Sequence, residues 1–203
     1  VRDGERRLLS DELRLGISEG VRFLEFAKPK LIDANKDSRM PVLVFTDGAC
    51  EPSGSSVGGL LICGSVVEYF GFAVSNQLID SWKTKADQQQ VIGQAELYLL
   101  LVARLTWAEY LKGRRVIYYK DNESARLGLI KGYSGVLPSL KLIMSCLEWD
   151  CAQNSLAWFD RVQSESNPAD GPSRLKPEWV IQQLGAVEVT PVLPSKTDIA
   201  IPS

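Results

Sequence analysis

Four acidic residues stand where the hydrophobic segments of this sequence begin or end. Asp47 and Asp121 each follow a short apolar segment, and Glu96 and Asp170 each lie near the start of an amphipathic one. Carboxylates gathered in one place repel one another and raise one another's pKa unless cations lie between them. Oxygen ligands of this kind suit Mg²⁺. A pair of Mg²⁺ ions ~3.5–4 Å apart can hydrolyse a phosphodiester bond, because one ion activates the attacking water and the other stabilises the leaving oxygen.

Each of these acids also has a structural explanation when it is taken alone. An Asp after a strand is often a turn or helix-capping residue, as Asp121 followed by Asn122 could be. Asp170 stands inside the sequence Pro-Ala-Asp-Gly-Pro and could belong to a loop. Four acids in this order, with Gly48 and Ala49 allowing a close approach of the backbone, favour one common site over four separate structural roles.

The composition excludes several classes of catalyst. The sequence has 203 residues and no histidine. This rules out Ser-His-Asp and Cys-His nucleophile pairs, HExxH zinc proteases and His-containing zinc fingers, but it does not affect a carboxylate metal site. Lys and Arg number 23 against 25 Asp and Glu, so the net charge of -2 gives no overall attraction to nucleic acid. A polyanionic substrate would therefore need a local basic surface.

The cysteines and the apolar runs predict an intracellular protein. The four cysteines show no CxxC spacing, which is typical of a reducing compartment such as the cytoplasm or nucleus. The longest apolar runs are far below the ~18–20 residues that a membrane span needs. We therefore expect no membrane association.

The hydrophobic pattern predicts an α/β domain that would bring the four acids together. Short β-branched runs predict strands, and 3.6-residue spacing predicts helices. The predicted strands are 41–46, 57–63, 66–74, 114–120 and 155–162, and the predicted helices are 94–111, one that starts after residue 122, 137–150, and a last one from Asp170 to residue 184. This order predicts a five-stranded mixed sheet with helices on both faces. Asp47 and Asp121 then end strands, where ligands bind in open α/β sheets, and Glu96 and Asp170 lie in the first turns of helices.

The segments outside this domain are shorter and less regular. Residues 1–40 predict a helical appendage and a linker, with two short helices or one kinked helix in 5–28 because Gly16 and Gly20 interrupt the pattern. Residues 28–41 are polar and turn-rich. We expect a catalytic domain at 41–185 and a C-terminal tail at 186–203.

Residues 41–175 resemble type-1 ribonuclease H, and most closely the ribonuclease H domain that follows a retroelement reverse transcriptase. The resemblance rests on four segments in the same order, TDGA at 46–49, IGQAEL at 92–97, KDNESA at 120–125 and NPADGPSR at 167–174. It implies a ribonuclease H-like fold and two Mg²⁺ ions, replaceable by Mn²⁺, bound by Asp47, Glu96, Asp121 and Asp170. It further implies hydrolysis of the RNA strand of an RNA–DNA hybrid. Residues 1–40 would then be the end of the polymerase or connection region of a reverse transcriptase polyprotein.

The resemblance also suggests residues that contact the hybrid. These are the backbone groups of Gly48, Ala49 and Cys50 and the side-chain amides of Gln94 and Asn122. A hybrid is distinguished by its 2′-OH groups, to which an amide can donate or from which it can accept a hydrogen bond. Gln94 could equally be a solvated residue at a helix N-terminus.

Basic and aromatic side chains supply further candidates for contact with nucleic acid. The richest basic supply is Lys83, Lys85, Lys112, Arg114, Arg115, Lys120, Arg126 and Lys131. Of the tryptophans, Trp82 is the one that we predict could stack on a sugar or a base.

One departure from the family keeps a second interpretation open. Many members carry a histidine in the loop before the last acid, whereas the loop here, 161–166, contains Arg161 and Glu165 instead. The enzyme could therefore be slow, or the chain could be a catalytically weak or inactive module that binds nucleic acid or connects domains. A different nuclease or strand-transfer enzyme of the same superfamily is less consistent, because a DxE first segment and a final Glu are both absent.

Overall fold

The computed structural model of the protein describes residues 9–26, 39–51, 54–83 and 91–195. Six strands form one mixed sheet. The strands are β1 (Val42–Glu51), β2 (Gly54–Cys63), β3 (Val66–Ala73), β4 (Arg115–Lys120), β5 (Leu156–Arg161) and β6 (Val187–Glu188), in the spatial order β5-β4-β1-β2-β3-β6. β1, β2 and β3 form an antiparallel meander, whereas β4 pairs in parallel with both β1 and β5.

Helices cover both faces of this sheet, which confirms the predicted fold class. They are α1 (Asp11–Phe26), α2 (Asn76–Trp82), α3 (Ile92–Thr106), α4 (Ala108–Leu111), α5 (Glu123–Lys131), α6 (Leu137–Ala152), α7 (Asp170–Ser173) and α8 (Glu178–Leu184). Successive residues of a strand point to opposite faces, so Leu61 packs in the main core under α3 and α6 while Leu60 packs against Val180 of α8. No helix of the described residues is long and apolar enough to cross a membrane.

The structure adds one strand to the five that the sequence predicts. Val187 and Glu188 pair in parallel with Glu68 and Tyr69 of β3, in a segment that we assigned to the tail. Two residues are too few to show an alternating pattern, so only their position beside β3 reveals them.

Several helix boundaries also differ from the prediction. α1 is a single helix that continues through Gly16 and Gly20, and the predicted linker lies mostly outside the described residues. The long helix begins at Ile92 and breaks at Trp107, and the last one is divided into α7 and α8 with Leu175 at a positive φ of 57° between them.

The opening that holds the candidate site forms where β1 and β4 part. Their parallel pairing ends at Phe45 opposite Tyr119, whereas β1 continues beside β2 as far as Glu51. Asp47 therefore lies inside β1, paired with Gly58, and not at the end of the strand as predicted. It lies just past the last residue that β4 pairs, so it still faces the gap between the two strands.

A pair of glycines lets α7 lie directly on the sheet. Gly58 and Gly71 are opposite each other on β2 and β3. A Cβ on Gly58 would lie 2.2 Å from the main-chain nitrogen of Ser173, and one on Gly71 would lie 2.3 Å from the carbonyl oxygen of Pro172. Only glycine permits this contact, which carries α7 and its Asp170 to the same edge of the sheet as Asp47.

A buried ion pair fastens α3 to α6 on the other face. Nε and Nη2 of Arg104 donate to the two carboxylate oxygens of Asp150 at 3.0 and 2.8 Å. The guanidinium lies over the ring of Tyr118, 4.3 Å from its centroid. This two-point pair is part of the core beneath β4.

Candidate metal centre

Three of the four predicted acids meet at the gap between β1 and β4. Asp47 from β1, Glu96 from α3 and Asp121 from the turn after β4 each offer a carboxylate oxygen, and these oxygens lie within 4.8 Å of one another. Asp47 is 7% exposed and Glu96 is 1% exposed, whereas Asp121 is half-buried. The structure therefore brings together, from three separate elements, side chains that are 25 to 74 positions apart in the sequence.

Glu96 is held by Lys120, one of the basic residues that the sequence offered for contact with nucleic acid. Lys120, the last residue of β4, is fully buried, and its ammonium donates to Oε2 of Glu96. It also donates to Oγ1 of Thr46 at 3.0 Å and to the main-chain oxygen of Glu96 at 3.2 Å. Lys120 therefore cannot serve as one of the basic side chains available to nucleic acid, because the alternation of β4 turns its side chain into the core.

The position of Glu96 in its helix leaves Lys120 as the main positive charge beside its carboxylate. Because α3 begins at Ile92, Glu96 lies in the second turn and not in the first. The partial charge of a helix N-terminus acts mainly within the first turn. Burial raises the pKa of Glu96, and the ammonium of Lys120 opposes that effect.

Asp47 is oriented by a serine of α7. The buried Ser173 Oγ donates to Oδ2 of Asp47 and lies 2.8 Å from the main-chain oxygen of Asp170. Burial raises the pKa of Asp47, the Ser173 hydroxyl lowers it, and the charges of Asp121 and Asp170 raise it again. A cation beside Asp47 would thus stabilise a carboxylate that is otherwise costly to ionise.

Asp170 lies at the edge of this cluster. Its Oδ1 accepts a hydrogen bond from Nε of Arg174 at 2.9 Å, and its side chain is 45% exposed. It is close enough for its charge to act on Asp47. Among the described residues, the three-acid cluster itself does not include Asp170.

Two further side chains position Asp121 and the loop that precedes α7. Ser164 Oγ donates to Oδ2 of Asp121 at 2.7 Å. Asn167 donates through Nδ2 to the main-chain oxygen of Thr46 at 3.1 Å, and its Oδ1 accepts from the Ala169 nitrogen at 3.2 Å. The loop is thereby attached to β1 beside the acids.

The residues that we predicted to contact substrate differ in their burial and their contacts. A Cβ on Gly48 would lie 3.0 Å from Oε1 of Glu96, so glycine leaves that oxygen accessible from β1. Ala49 and Gln94 are buried, which argues against the alternative of a solvated Gln94. Asn122 accepts from the Ala125 nitrogen at 3.0 Å and caps α5, and the side chain of Cys50 lies outside the described residues.

The tryptophan prediction is wrong. Trp82 is 3% exposed and packs against Tyr98, with ring centroids 5.4 Å apart. Trp158 and Trp179 are instead exposed. Trp179 lines an open cleft of about 610 Å³ beside Asp170 and Arg174.

The sequence did not indicate the contacts that three side chains, Lys120, Ser164 and Ser173, make with the acids. For Lys120 a signal was present, because the alternation along β4 places it on the same buried face as Val116 and Tyr118. The two serines carried no signal of their own, since their roles depend on how the chain segment 164–173 folds over β1.

The donor set fits a hard divalent cation. The cluster consists of carboxylate oxygens from Asp47, Glu96 and Asp121, which are the ligands that Mg²⁺ and Mn²⁺ take. It contains neither the sulfur nor the imidazole that would favour zinc. Asp47, Glu96 and Asp121 could hold such an ion, and Asp170 could join them if its carboxylate turned from Arg174.

No model of a known protein family matches this sequence, and no curated protein matches it. Among solved structures, it is similar to RNase H1 from the halophilic archaeon Halobacterium salinarum, with 16% identity and a TM-score of 0.48 over 68% of this chain and 98% of that one. It is also similar to the N-terminal RNase H domain of a Mycobacterium tuberculosis protein, with 12% identity and a TM-score of 0.47 over 70% and 96% of the two chains. LC11-RNase H1, isolated from compost by a metagenomic approach, shows 13% identity and a TM-score of 0.44 over 70% and 98%. Similarity at this level does not assign an activity, which must come from the residues of the site.

Proposed function

We propose that this protein is a metal-dependent endonuclease that hydrolyses the RNA strand of an RNA–DNA hybrid. The observation that carries the proposal is the cluster of Asp47, Glu96 and Asp121 at the gap between β1 and β4. The ordered resemblance of the four acid-bearing segments to ribonuclease H supports the same activity. The site needs no histidine, which agrees with a sequence that has none.

The roles of the side chains follow from their contacts. Asp47, Glu96 and Asp121 would bind the divalent ions, and Asp170 would be the fourth ligand. Two Mg²⁺ ions, or Mn²⁺ in their place, would lower the pKa of the attacking water and stabilise the leaving oxygen. Ser173 orients Asp47, and Ser164 orients Asp121.

Hybrid recognition would come from the edge of the same site. The backbone from Gly48 to Cys50 lies on β1 and directly follows Asp47, and Gln94 lies two residues before Glu96 on α3. Asn122 directly follows Asp121, and its amide nitrogen would be the group that contacts the hybrid, since its oxygen caps α5. These groups would read the 2′-OH of the RNA strand.

The larger protein to which the chain belongs, and its location in the cell, are also proposals. We infer from the resemblance that the chain is the ribonuclease H domain of a retroelement reverse transcriptase, with residues 1–40 as the end of its polymerase or connection region. The intracellular location remains a prediction from the cysteine pattern.

One observation favours the second candidate, a weak or inactive module that binds nucleic acid. The ammonium of Lys120 already neutralises Glu96. If this ion pair replaced the metal entirely, the chain would keep the architecture without the hydrolysis.

A cleavage assay on three substrates separates the two candidates. End-labelled RNA–DNA hybrid, duplex RNA and duplex DNA of one sequence would be incubated with the protein in Mg²⁺, in Mn²⁺ and in chelator. The proposal predicts cuts within the RNA strand of the hybrid alone, with 5′-phosphate products and none in chelator. Binding of the hybrid without any cleavage in either metal would favour the inactive module, and equal cleavage of duplex DNA would indicate a different nuclease.

A further inference from the structure

Lys120 is a buried cation beside the candidate metal centre, and none of the roles proposed above requires it. It is a fully buried cation, and its three ammonium protons are all committed, to Thr46 and to two oxygens of Glu96. A buried lysine is costly unless it is paired, so this position is maintained by its partner. That partner is a residue of the candidate metal centre.

The charges of the site show what the lysine does. Three carboxylates, those of Asp47, Glu96 and Asp121, lie close together. Lys120 supplies one positive charge at the buried end of this cluster, beside Glu96. Glu96 is almost fully buried, so without that charge it would be an uncompensated ion in the core. Removing one partner of a buried pair is strongly destabilising for this reason.

The contact with Lys120 also gives the two carboxylate oxygens of Glu96 different neighbours. Oε2 accepts from the ammonium, whereas Oε1 faces β1 at Gly48. Lys120 therefore leaves Glu96 one oxygen for an ion that approaches from Asp47 and Asp121. It holds that oxygen in place through both the side chain and the main chain of Glu96.

We propose that Lys120 is a positioning residue that stabilises the metal-free site and holds Glu96 as a ligand with one available oxygen. Its ammonium competes with the divalent ion for the negative charge of Glu96. Lys120 thereby sets the metal concentration at which the site fills. This inference rests on the proposed metal-binding role of the three acids. A resident cation and an incoming divalent ion repel each other at such short range. Metal binding is therefore weaker with Lys120 present than without it.

The test compares the metal affinity of the whole chain and its Lys120→Met variant. Mn²⁺ alone and Mg²⁺ alone would be titrated calorimetrically, without nucleic acid. We expect Lys120→Met to bind the ion roughly tenfold more tightly or better, since an interaction of even ~1.4 kcal/mol corresponds to a factor of ten. The melting temperature of the variant should also rise more on adding metal than that of the unmodified chain, because the ion then replaces the lost charge.

The matched control is Arg104→Met, which removes another buried cation from a carboxylate. Arg104 lies on the same helix, eight residues after Glu96 and thus about 12 Å along its axis. We expect Arg104→Met to lower the melting temperature but to change the metal affinity by less than twofold. A gain in affinity specific to Lys120→Met cannot then be a general effect of a destabilised core.

Each outcome decides one claim. Equal or weaker metal binding by Lys120→Met would overturn the proposal that Lys120 competes with the metal ion. A variant that stays unfolded even at saturating Mg²⁺ would overturn it as well. Recovery of its fold on metal addition supports the proposal even if the metal-free variant does not fold. Absence of any metal binding by the unmodified chain instead overturns the proposed metal centre.

Discussion

The contact of α7 with the sheet predicts a large effect from a single methyl group on Gly58. Gly58 lies on β2, opposite Asp47 across the β1–β2 pair, and α7 rests on it. A Cβ at this position would be 2.2 Å from the nitrogen of Ser173 and 2.5 Å from the carbonyl carbon of Pro172. Both neighbours are main-chain atoms, so no side chain can rotate out of the way.

The size of the displacement follows from these distances. Ordinary van der Waals contact of a Cβ begins near 3.4 Å, so α7 must move by about 1.2 Å, the difference between 3.4 and 2.2 Å. Ser173 would then lose its hydrogen bond to Asp47, and Asp170 would shift with it. Overpacking of this kind costs roughly 1–3 kcal/mol, which corresponds to a drop of about 2–12 °C in melting temperature. A misplacement of about 1 Å near the reacting groups can lower the rate about 100-fold.

The assay is hybrid cleavage together with thermal unfolding of Gly58→Ala and of Gly135→Ala. Gly135 has nothing within 4 Å of its Cβ position, so its substitution should change neither quantity. We expect Gly58→Ala to remain folded at 25 °C and to lose about two orders of magnitude in kcat. Unchanged activity and unchanged melting temperature in Gly58→Ala would show that α7 does not hold the site as described.

Three more predictions concern the hydrogen bonds and charges around the site. Ser173→Ala should lower the kcat of hybrid cleavage about tenfold, since it removes a charge-assisted hydrogen bond to Asp47, whereas an unchanged kcat would leave that bond without a role. Burial raises the pKa of Asp47 and Glu96, so the folded protein holds these protons more tightly than the unfolded chain. In chelator, the free energy of unfolding relative to Asp47→Asn should therefore fall as the pH rises above about 4. Urea titrations that show the opposite slope would contradict this prediction. Arg104→Met should lower the free energy of unfolding by about 3–5 kcal/mol, because it leaves Asp150 buried and unpaired, while the specific activity of the folded protein stays the same.

The fold could largely be predicted because its strands and helices carry regular patterns. The β-branched runs predicted the three strands of the meander, and Asn122, which caps α5, stands directly before the helix predicted after residue 122. The two-residue β6 and the break at Trp107 could not be found this way. Both depend on tertiary packing, since local spacing alone predicts a tail for one and a continuous helix for the other.

The sequence predicted the three acids that meet in the cluster, together with a fourth, Asp170, that lies at its edge, but it did not predict the side chains that hold them. Asp47 and Asp121 each follow a predicted strand, and ligands of open α/β sheets bind at such strand ends, so their meeting could be expected from the sequence. The pairing of Lys120 with Glu96 joins β4 to α3, and that of Ser173 with Asp47 joins α7 to β1. A linear pattern shows that such residues are buried or polar, but it does not show which partner lies across the gap.

The most direct test of the central claim is hybrid cleavage by Asp121→Asn beside Asp160→Asn. Asp121 belongs to the three-acid cluster, whereas Asp160 is an exposed acid on β5. Within the described part of the chain, its carboxylate accepts a hydrogen bond only from the Arg161 nitrogen. Both variants remove one carboxylate charge by the same change, and folding of each would be checked by thermal unfolding. A metal-dependent site built on the cluster predicts that Asp121→Asn loses RNA cleavage in Mg²⁺ while Asp160→Asn keeps it. Full cleavage by a folded Asp121→Asn would contradict the account.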